Sequence, residues 1–506
     1  MKNGNHQTFF NMGLAMCSTL TSMLTGLIVQ RYILVTFNSS INGLTSSITQ
    51  FLSYLMLLEA GLSTASIQAL YEPLAQRDNV RISRILAATS RQFIKVGLFF
   101  LAGLVILTAI LPIIIGDQVA AIIVIPLTFM SGLGHVLTYM LASRNKALLH
   151  ADNRVFVIYL ISIVSIVTMA VLKLLIIFYF PYNPTNIIYI GAVTLVMSLC
   201  NIIAINKYVA ANYKDVIDRD AEPDMEAISK RWSVLIHQLF GTLNRTSDTV
   251  LLTAFSTLKT VSVYSVYNYV YASMNAMVQT VFLQAVSGRF GGLYAQNKEK
   301  FRLYYDVYEL LSITLTFAVM TGVMIMTTPF VGLYTAGVTD ILYVDYQIAL
   351  LFYLAITLSL VRLPSILAVT VAGHFKETQK GAIWQALINI AVSLPMLLFF
   401  GIKGLLIGTI CAMLWRTFDL TSYSYKLIVH KRMRYYLGMM LVNSLAATIC
   451  ILLSIWLQIT VSSWLTFFLT GVAVVTVAIV IFLLVGALFY CKRVLALVSS
   501  INLRKN

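Results

Sequence analysis

The sequence predicts an all-α polytopic membrane protein of about 14 transmembrane helices. Three observations predict it. Apolar residues make up 59% of the 506 positions and charged residues only 11%, outside the range of soluble domains. The apolar residues fall into runs of about 20, the length that crosses a bilayer. The lysines and arginines gather in alternate loops, the signature of a cytoplasmic face.

The first apolar run, about 9 to 29, is too long and too flecked with polar residues for a cleaved signal peptide and reads as part of span one, about 9 to 37. Spans two to six follow at about 41 to 70, 95 to 115, 119 to 143, 155 to 180 and 186 to 206. Spans seven to ten lie at about 232 to 256, 261 to 288, 306 to 328 and 345 to 372. The last four are at about 381 to 399, 404 to 424, 437 to 459 and 465 to 490.

Basic residues test this order. With the N-terminus inside, the loops at 71 to 95 (Arg77, Arg81, Arg84, Arg91, Lys95), 144 to 154 (Arg144, Lys146, Arg154) and 207 to 231 all face the cytoplasm. The outer loops hold only Lys259 and Lys403. The expectation is a multi-pass protein of the cell membrane with both termini cytoplasmic. The net charge of +16 is then mostly topology beside anionic membrane lipids. Without a basic soluble domain it implies no nucleic-acid partner. The five cysteines show no paired spacing and read as small core residues, with neither a disulfide framework nor a metal site.

The mixed-charge stretch at 207 to 231 reads as a linker between two six-span halves, 1 to 206 and 232 to 424, with a solvated surface helix as the alternative. Residues 425 to 506 carry the last two spans and a cytoplasmic tail. A parallel duplication would make spans one and seven correspond. Setting 30 to 40 over 247 to 257 matches Leu34 with Leu251, Thr36 with Thr253 and Ser39 with Ser256, and pairs Arg31 with Asp248. Both charges then sit roughly 12 Å below the outer loop.

Several spans carry polar stripes at helical spacing. On span seven His237, Gly241, Asn244 and Asp248 share a face, with Arg245 beside it; on span eight Tyr264, Asn268, Tyr271, Asn275 and Gln279 do the same. Span one offers Asn11, Ser18, Ser22 and Thr25, and span two Thr45, Thr49 and Ser53. For spans one and two, interhelical hydrogen bonding within the bundle is the expected use. For spans seven and eight a water-filled cavity is expected, because their stripes carry ionisable or bulky polar groups.

A charge at bilayer depth costs about 2.5 to 3.5 kcal/mol on insertion scales and therefore faces a cavity or a partner. Five basic residues fall within spans: Arg31, Lys173, Arg245, Arg362 and Arg416. Three acids are counted with them, Glu59, Asp248 and Asp419. Lys173 lies near the outer end of span five, where snorkelling is an alternative. Arg416 and Asp419 are spaced to neutralise one another. Arg362, two residues before Pro364, has no acid close in sequence. Glu59 reads either as a proton or cation site or as a partner for one of the arginines. His237 stands on the polar stripe, whereas His135 reads as a core residue. No phosphate loop, HExxH or CxxC motif is present, so an enzyme is not expected and no cofactor is implied. Uphill transport would draw on an ion gradient, of H+ or Na+, or on downstream consumption of the product.

The stretches "QFLSYLMLLEAGLSTASIQALYEPLAQRDNVRISRIL" (50 to 86), "NRTSDTVLL" (244 to 252), "TVSVYSVYNYV" (260 to 270) and "AGHFKETQKGAIWQALINIAVSLPMLLFFGIKGLLIGT" (372 to 409), in this order, resemble the polysaccharide-exporter flippases of Gram-positive bacteria. That family is part of the multidrug/oligosaccharidyl-lipid/polysaccharide exporter superfamily. The resemblance implies two six-helix lobes related by a pseudo-two-fold axis around a central cavity, with spans 13 and 14 peripheral. It also implies carriage of an undecaprenyl-diphosphate-linked oligosaccharide from inner to outer leaflet by alternating access, with polysaccharide polymerase and assembly proteins as partners.

Arginine meets phosphate oxygens through paired, charge-assisted donors. Arg31, Arg245 and Arg362, with Lys173 and Arg416, are therefore the expected ligands of the diphosphate or acidic glycan. Asp248 would hold Arg31 or Arg245 until substrate arrives. Glu59, Asp248 and His237 are the candidates for ion coupling or gating. Tyr264, Tyr267 and Tyr271 would stack on sugar rings, with packing as the alternative. A multidrug or cation antiporter, a lipid II or teichoic-acid precursor flippase, and a scaffold without its own transport are the competing readings.

Overall fold

The computed structural model describes residues 2–59, 61–181, 183–218, 221–226 and 247–502. Among them there is no strand. A backbone in hydrocarbon must satisfy its N–H and C=O groups within the segment, so these apolar runs become helices. Contacts divide the chain into two compact units, Met1–Ser262 and Val263–Asn506.

The first unit opens with α1 (Lys2–Leu55), 54 residues or roughly 80 Å at 1.5 Å per residue, far longer than one crossing. It breaks at Asn38 (φ 74, ψ 175). The Asn38 side chain there accepts from the N–H groups of Ser40 (3.0 Å) and Ile41 (3.3 Å), capping the second half as it ends the first. Spans one and two are thus separated where their apolar runs part.

Span two is not the single helix expected from 41 to 70. A 3-10 turn at Met56–Glu59 and a left-handed Gly61 interrupt it before α2 (Leu62–Gln76). α3 (Asn79–Ile115) is also longer than the expected 95 to 115. Asp78 caps it by accepting from Arg81 N–H at 3.0 Å, and the arginines, isoleucines, leucine and alanines that follow favour helix overall. Much of the supposed 71 to 95 loop is therefore helical. α4 (Ala121–Leu141), the short α5 (Ser143–Ala151), α6 (Val155–Tyr179) and α7 (Asn186–Asn212) follow. Residues 247–255 form α8, the described end of expected span seven, and α9 (Leu258–Gln279) begins in this unit.

Beyond α7 the expected linker is partly docked. Ser83 Oγ donates to the Val216 carbonyl (3.0 Å) and accepts from Asp218 N–H (2.9 Å), while Asp224 N–H donates to the Arg84 carbonyl (3.2 Å). Residues 213–226 thus run beside the start of α3 wherever they are described.

In the second unit α9 passes through a π turn (Thr280–Gln284) into α10 (Ala285–Gln296), and α11 (Lys298–Tyr334) follows. Span ten is split into α12 (Tyr346–Leu360) and α13 (Leu363–Ala372), with Pro364 in the first turn of α13. α14 (Phe375–Ser424) holds spans eleven and twelve and reverses at Gly401 (φ 59). The two halves then cross so closely that a Cβ at Gly404 would lie 1.9 Å from the Met396 carbonyl oxygen. α15 (Met433–Trp456) and α16 (Trp464–Asn502) complete the chain, α16 packing on α11 through Phe317–Phe482 and Phe330–Phe467.

Ten segments among the described residues are long and apolar enough to cross a membrane. Two of them, Gly13–Glu59 and Phe375–Val429, break at Asn38 and Gly401 and so supply two crossings each. The α9–α10 run, diluted by Asn268, Asn275 and Gln279, adds a thirteenth crossing, and most of the expected seventh span lies outside the described residues. Of the cysteines, Cys450 is buried but Cys17 and Cys200 stand on exposed faces, correcting the core reading for those two.

Candidate functional site

Of the expected site residues, Asn244, Arg245 and His237 lie outside the described residues. Arg31 and Lys173 are both half-buried in the first unit, on two helices that pack together, α1 and α6. Tyr32, next to Arg31, meets Phe178 edge to face at 4.9 Å. Lys173 lies five residues before Phe178, on the α6 face of Ala170 and Ile177 rather than that of the lipid-exposed Val171 and Phe178. Lys173 has no ion pair or hydrogen bond among the described residues. The first unit therefore brings two cations to one helix pair at bilayer depth. Asp248 is buried in the same unit.

Glu59 sits on the turn that breaks span two, with Tyr139 of α4 and Lys146 of α5 in electrostatic reach of its carboxyl. Burial holds the Lys146 ammonium below its usual range, with the Glu59 carboxylate opposing that shift. His150 is likewise lowered by burial and by Lys146. His135 packs near Phe100 at 6.0 Å, as a core residue would.

A seam of small polar groups joins α1 beyond its break to the stretch from α8 into α9. Asn42 Nδ2 donates to Ser262 Oγ (2.5 Å) while its Oδ1 accepts from Gln30 (2.5 Å). The hydroxyls of Ser47 and Thr253 are 2.7 Å apart, and Leu258 N–H donates to Gln118 at 2.6 Å. Asn42, Ser47 and Ser262 are fully buried. A Cβ at residue 43 would sit 1.9 Å from the Leu258 carbonyl oxygen, so only glycine permits the approach. Sequence reading missed this seam because its partners are up to 220 residues apart. Of the stripes on spans one and two, Asn11 makes the expected interhelical bonds, to Asn153 and to Phe156 N–H, whereas Thr49 and Ser53 bond carbonyls of their own helix.

In the second unit the tyrosines of α9 take the packing alternative. Tyr267 and Tyr271 are fully buried and stack on Phe352 at 5.9 and 5.5 Å; Tyr264 meets the same ring at 5.0 Å. The hydroxyls of Tyr267 and Tyr271 donate to the Tyr343 (2.8 Å) and Ala349 (2.9 Å) carbonyls. This corrects the expectation of a sugar-stacking platform: rings enclosed by protein offer no free face. Asn268, Asn275 and Gln279 are half-buried, and Gln279 donates to Asn275 at 3.0 Å.

Arg416 is spent on packing. Its guanidinium donates to Asp419 (2.7 Å) and to the Thr378 carbonyl (3.1 Å), in space opened by Gly381. Arg362 occupies the two-residue break between α12 and α13. Tyr436 of α15 lies in electrostatic reach of its guanidinium.

Glu309 and Asp306 add two acids to the three expected within spans. Glu309 is buried and accepts from Tyr425 Oη (2.8 Å) and Lys431 Nζ (2.8 Å). Lys431 also pairs with Asp306 (2.5 Å) and sits over the Tyr305 ring at 5.4 Å. The second unit is thus less cationic than the sequence count implied.

No family model matches the chain, and no curated protein does. Solved structures do. A lipid II flippase, MurJ, in an inward closed conformation superposes with a TM-score of 0.68 at 15% identity, covering 96% of this chain and 100% of that one. An inward-facing multidrug resistance MATE family transporter of the MOP superfamily gives 0.65 at 13% identity, covering 80% and 96%. A eukaryotic MATE transporter gives 0.53 at 16% identity, covering 83% and 95%. At such identities the likeness is one of fold, and it extends over nearly the whole chain: this is the helical membrane fold that a lipid II flippase and multidrug transporters share.

Proposed function

We infer that the protein is a flippase that carries a polyprenyl-diphosphate-linked oligosaccharide, with an undecaprenyl chain, from the inner to the outer leaflet of the cell membrane by alternating access. The observation that carries this reading is the pair of half-buried cations Arg31 and Lys173 on α1 and α6. A cation held at bilayer depth is costly and faces a cavity or a partner, and in this reading the cavity admits an anion. The diphosphate is such an anion, and guanidinium and ammonium donors suit its oxygens. Arg245 and Arg362 extend the same role in this reading. Arg416, already paired, does not.

The polar seam between α1 and the α8–α9 stretch serves as the outer closure. Hydroxyl and amide hydrogen bonds exchange readily for water, so such a seam opens at little net cost. Glu59, set against Lys146 and Tyr139, is the candidate for ion coupling in the first unit.

Deleting the gene and identifying the lipid-linked saccharides of the cytoplasmic leaflet by mass spectrometry tests the reading. Accumulation of one undecaprenyl-diphosphate oligosaccharide supports it. Unchanged lipid-linked saccharides with new sensitivity to cationic drugs would replace it by the multidrug reading, which the shared MATE fold favours as the second choice. Accumulated lipid II would assign the cargo of the MurJ-like alternative.

A further inference from the structure

The outward face of α3 changes chemistry along its length. Leu98, Phe99, Val105, Ile106 and Ile113 are all more than half exposed, as side chains facing lipid are. On the same face, toward the start of the helix, stand the exposed Arg91 and Lys95. At 100° per residue Arg91, Lys95, Leu98 and Ile106 fall within about 80° of arc.

Depth follows from the sequence. Residues 96 to 115 contain no charged side chain, and at 1.5 Å rise these twenty residues match the roughly 30 Å of hydrocarbon. Lys95 therefore stands at the edge of the hydrocarbon, and Arg91 about one turn, roughly 6 Å, farther out in the headgroup layer. Neighbouring cations are spent: Arg81 pairs with Glu72 (3.4 Å) and Arg154 with Asp152 (3.1 Å). Arg91 and Lys95 have no ion pair or hydrogen bond among the described residues. Arg84, farther along α3, has the docked acidic stretch of Asp215, Asp218 and Glu222 beside it and is excluded from the site.

We propose that Arg91 and Lys95 form a binding site for the phosphate of an anionic phospholipid in the leaflet on the basic-loop side. The guanidinium offers paired donors to phosphate oxygens and the ammonium a second charge one turn away. Their place on the lipid-facing surface, continuous with the exposed apolar stripe, lets a bulk phospholipid reach them with its acyl chains along Leu98 and Phe99. The site depends on α3 as a crossing and not on the identity of the transported substrate.

The test is native mass spectrometry of the full chain in detergent titrated with phosphatidylglycerol or phosphatidylcholine. A basic residue near an anionic lipid surface is worth about 1 kcal/mol, or roughly fivefold. R91Q/K95Q should therefore weaken phosphatidylglycerol binding about 25-fold and leave phosphatidylcholine binding unchanged. R91K/K95R should retain most of the affinity, and K376Q/K380Q, equally exposed on another helix, should change it by less than about twofold. If R91Q/K95Q is not obtained folded, R91Q alone should show about the fivefold loss. Retention of phosphatidylglycerol binding within about twofold in R91Q/K95Q, an equal loss in K376Q/K380Q, or an equal loss of phosphatidylcholine would overturn the proposal.

Discussion

Replacing Lys431 by methionine should destabilise the second unit severely while changing little of its shape. The side chain of Glu309 is 2% exposed and that of Lys431 14%, and their 2.8 Å contact is shielded from screening by solvent. Methionine keeps much of the volume and removes the ammonium, so Glu309 would be left with Tyr425 as its hydrogen-bond donor. Breaking a buried pair by removing one partner costs about 3 to 5 kcal/mol, chiefly through the uncompensated charge. The double variant K431M/E309Q removes both charges and leaves an acceptor for Tyr425, and should recover most of the loss; the remainder reflects the half-exposed Asp306. Unfolding in mixed dodecyl sulfate micelles, compared across wild type, both single variants and the double, gives the coupling energy. A K431M loss below about 0.5 kcal/mol, or a double variant no better than K431M, would refute the reasoning.

Three further outcomes follow from the geometry. Cysteines at positions 47 and 253, where the hydroxyls now lie 2.7 Å apart, should form a disulfide under oxidation and stop translocation, with full recovery on reduction; undiminished translocation by the oxidised protein would remove the seam from the gating cycle. Placing alanine at Gly404 drives its Cβ into the Met396 carbonyl and should cost several kcal/mol or prevent insertion, read as loss of folded protein in the membrane. Asp345 is a capping acid: although burial works against it, the Lys403 ammonium at 2.9 Å and the N–H groups of Gln347 and Ile348 hold its carboxyl below the usual range. A lowered carboxyl stabilises above its unfolded value, about 3.9, and loses that contribution as pH falls below it. The stability gap between wild type and D345A, about 1 kcal/mol at neutral pH, should therefore narrow only below about pH 4; narrowing near pH 6 would contradict the assignment.

Much of the fold was legible because hydrocarbon imposes long apolar runs, and those runs end where Asn38 and Gly401 reverse the chain. The breaks within spans were not. Around Glu59 and Arg362 the apolar residues continue on both sides, so hydropathy passes straight over a 3-10 turn and a two-residue gap. The start of α3 was hidden for the opposite reason, since its arginines read as loop while also forming helix well. Polar periodicity located the α9 stripe but not its use. Hydrogen bonds to carbonyls at 343 and 349 turn Tyr267 and Tyr271 into packing elements, and no local pattern announces a partner 76 or 78 residues away. A separation of 122 residues likewise hid Glu309 from Lys431. The Arg416–Asp419 pair was legible because helix geometry alone brings residues three apart together.

The proposed function requires the cations at bilayer depth in the first unit to recognise a diphosphate. Its most direct measurement is translocation of a fluorescent undecaprenyl-diphosphate oligosaccharide in proteoliposomes containing wild type, R31Q, K173Q or the double variant, with insertion checked in each. Each single variant should slow translocation at least tenfold, about 1.4 kcal/mol, and the double should abolish it although the protein is inserted. Wild-type rates in the inserted double variant would contradict it.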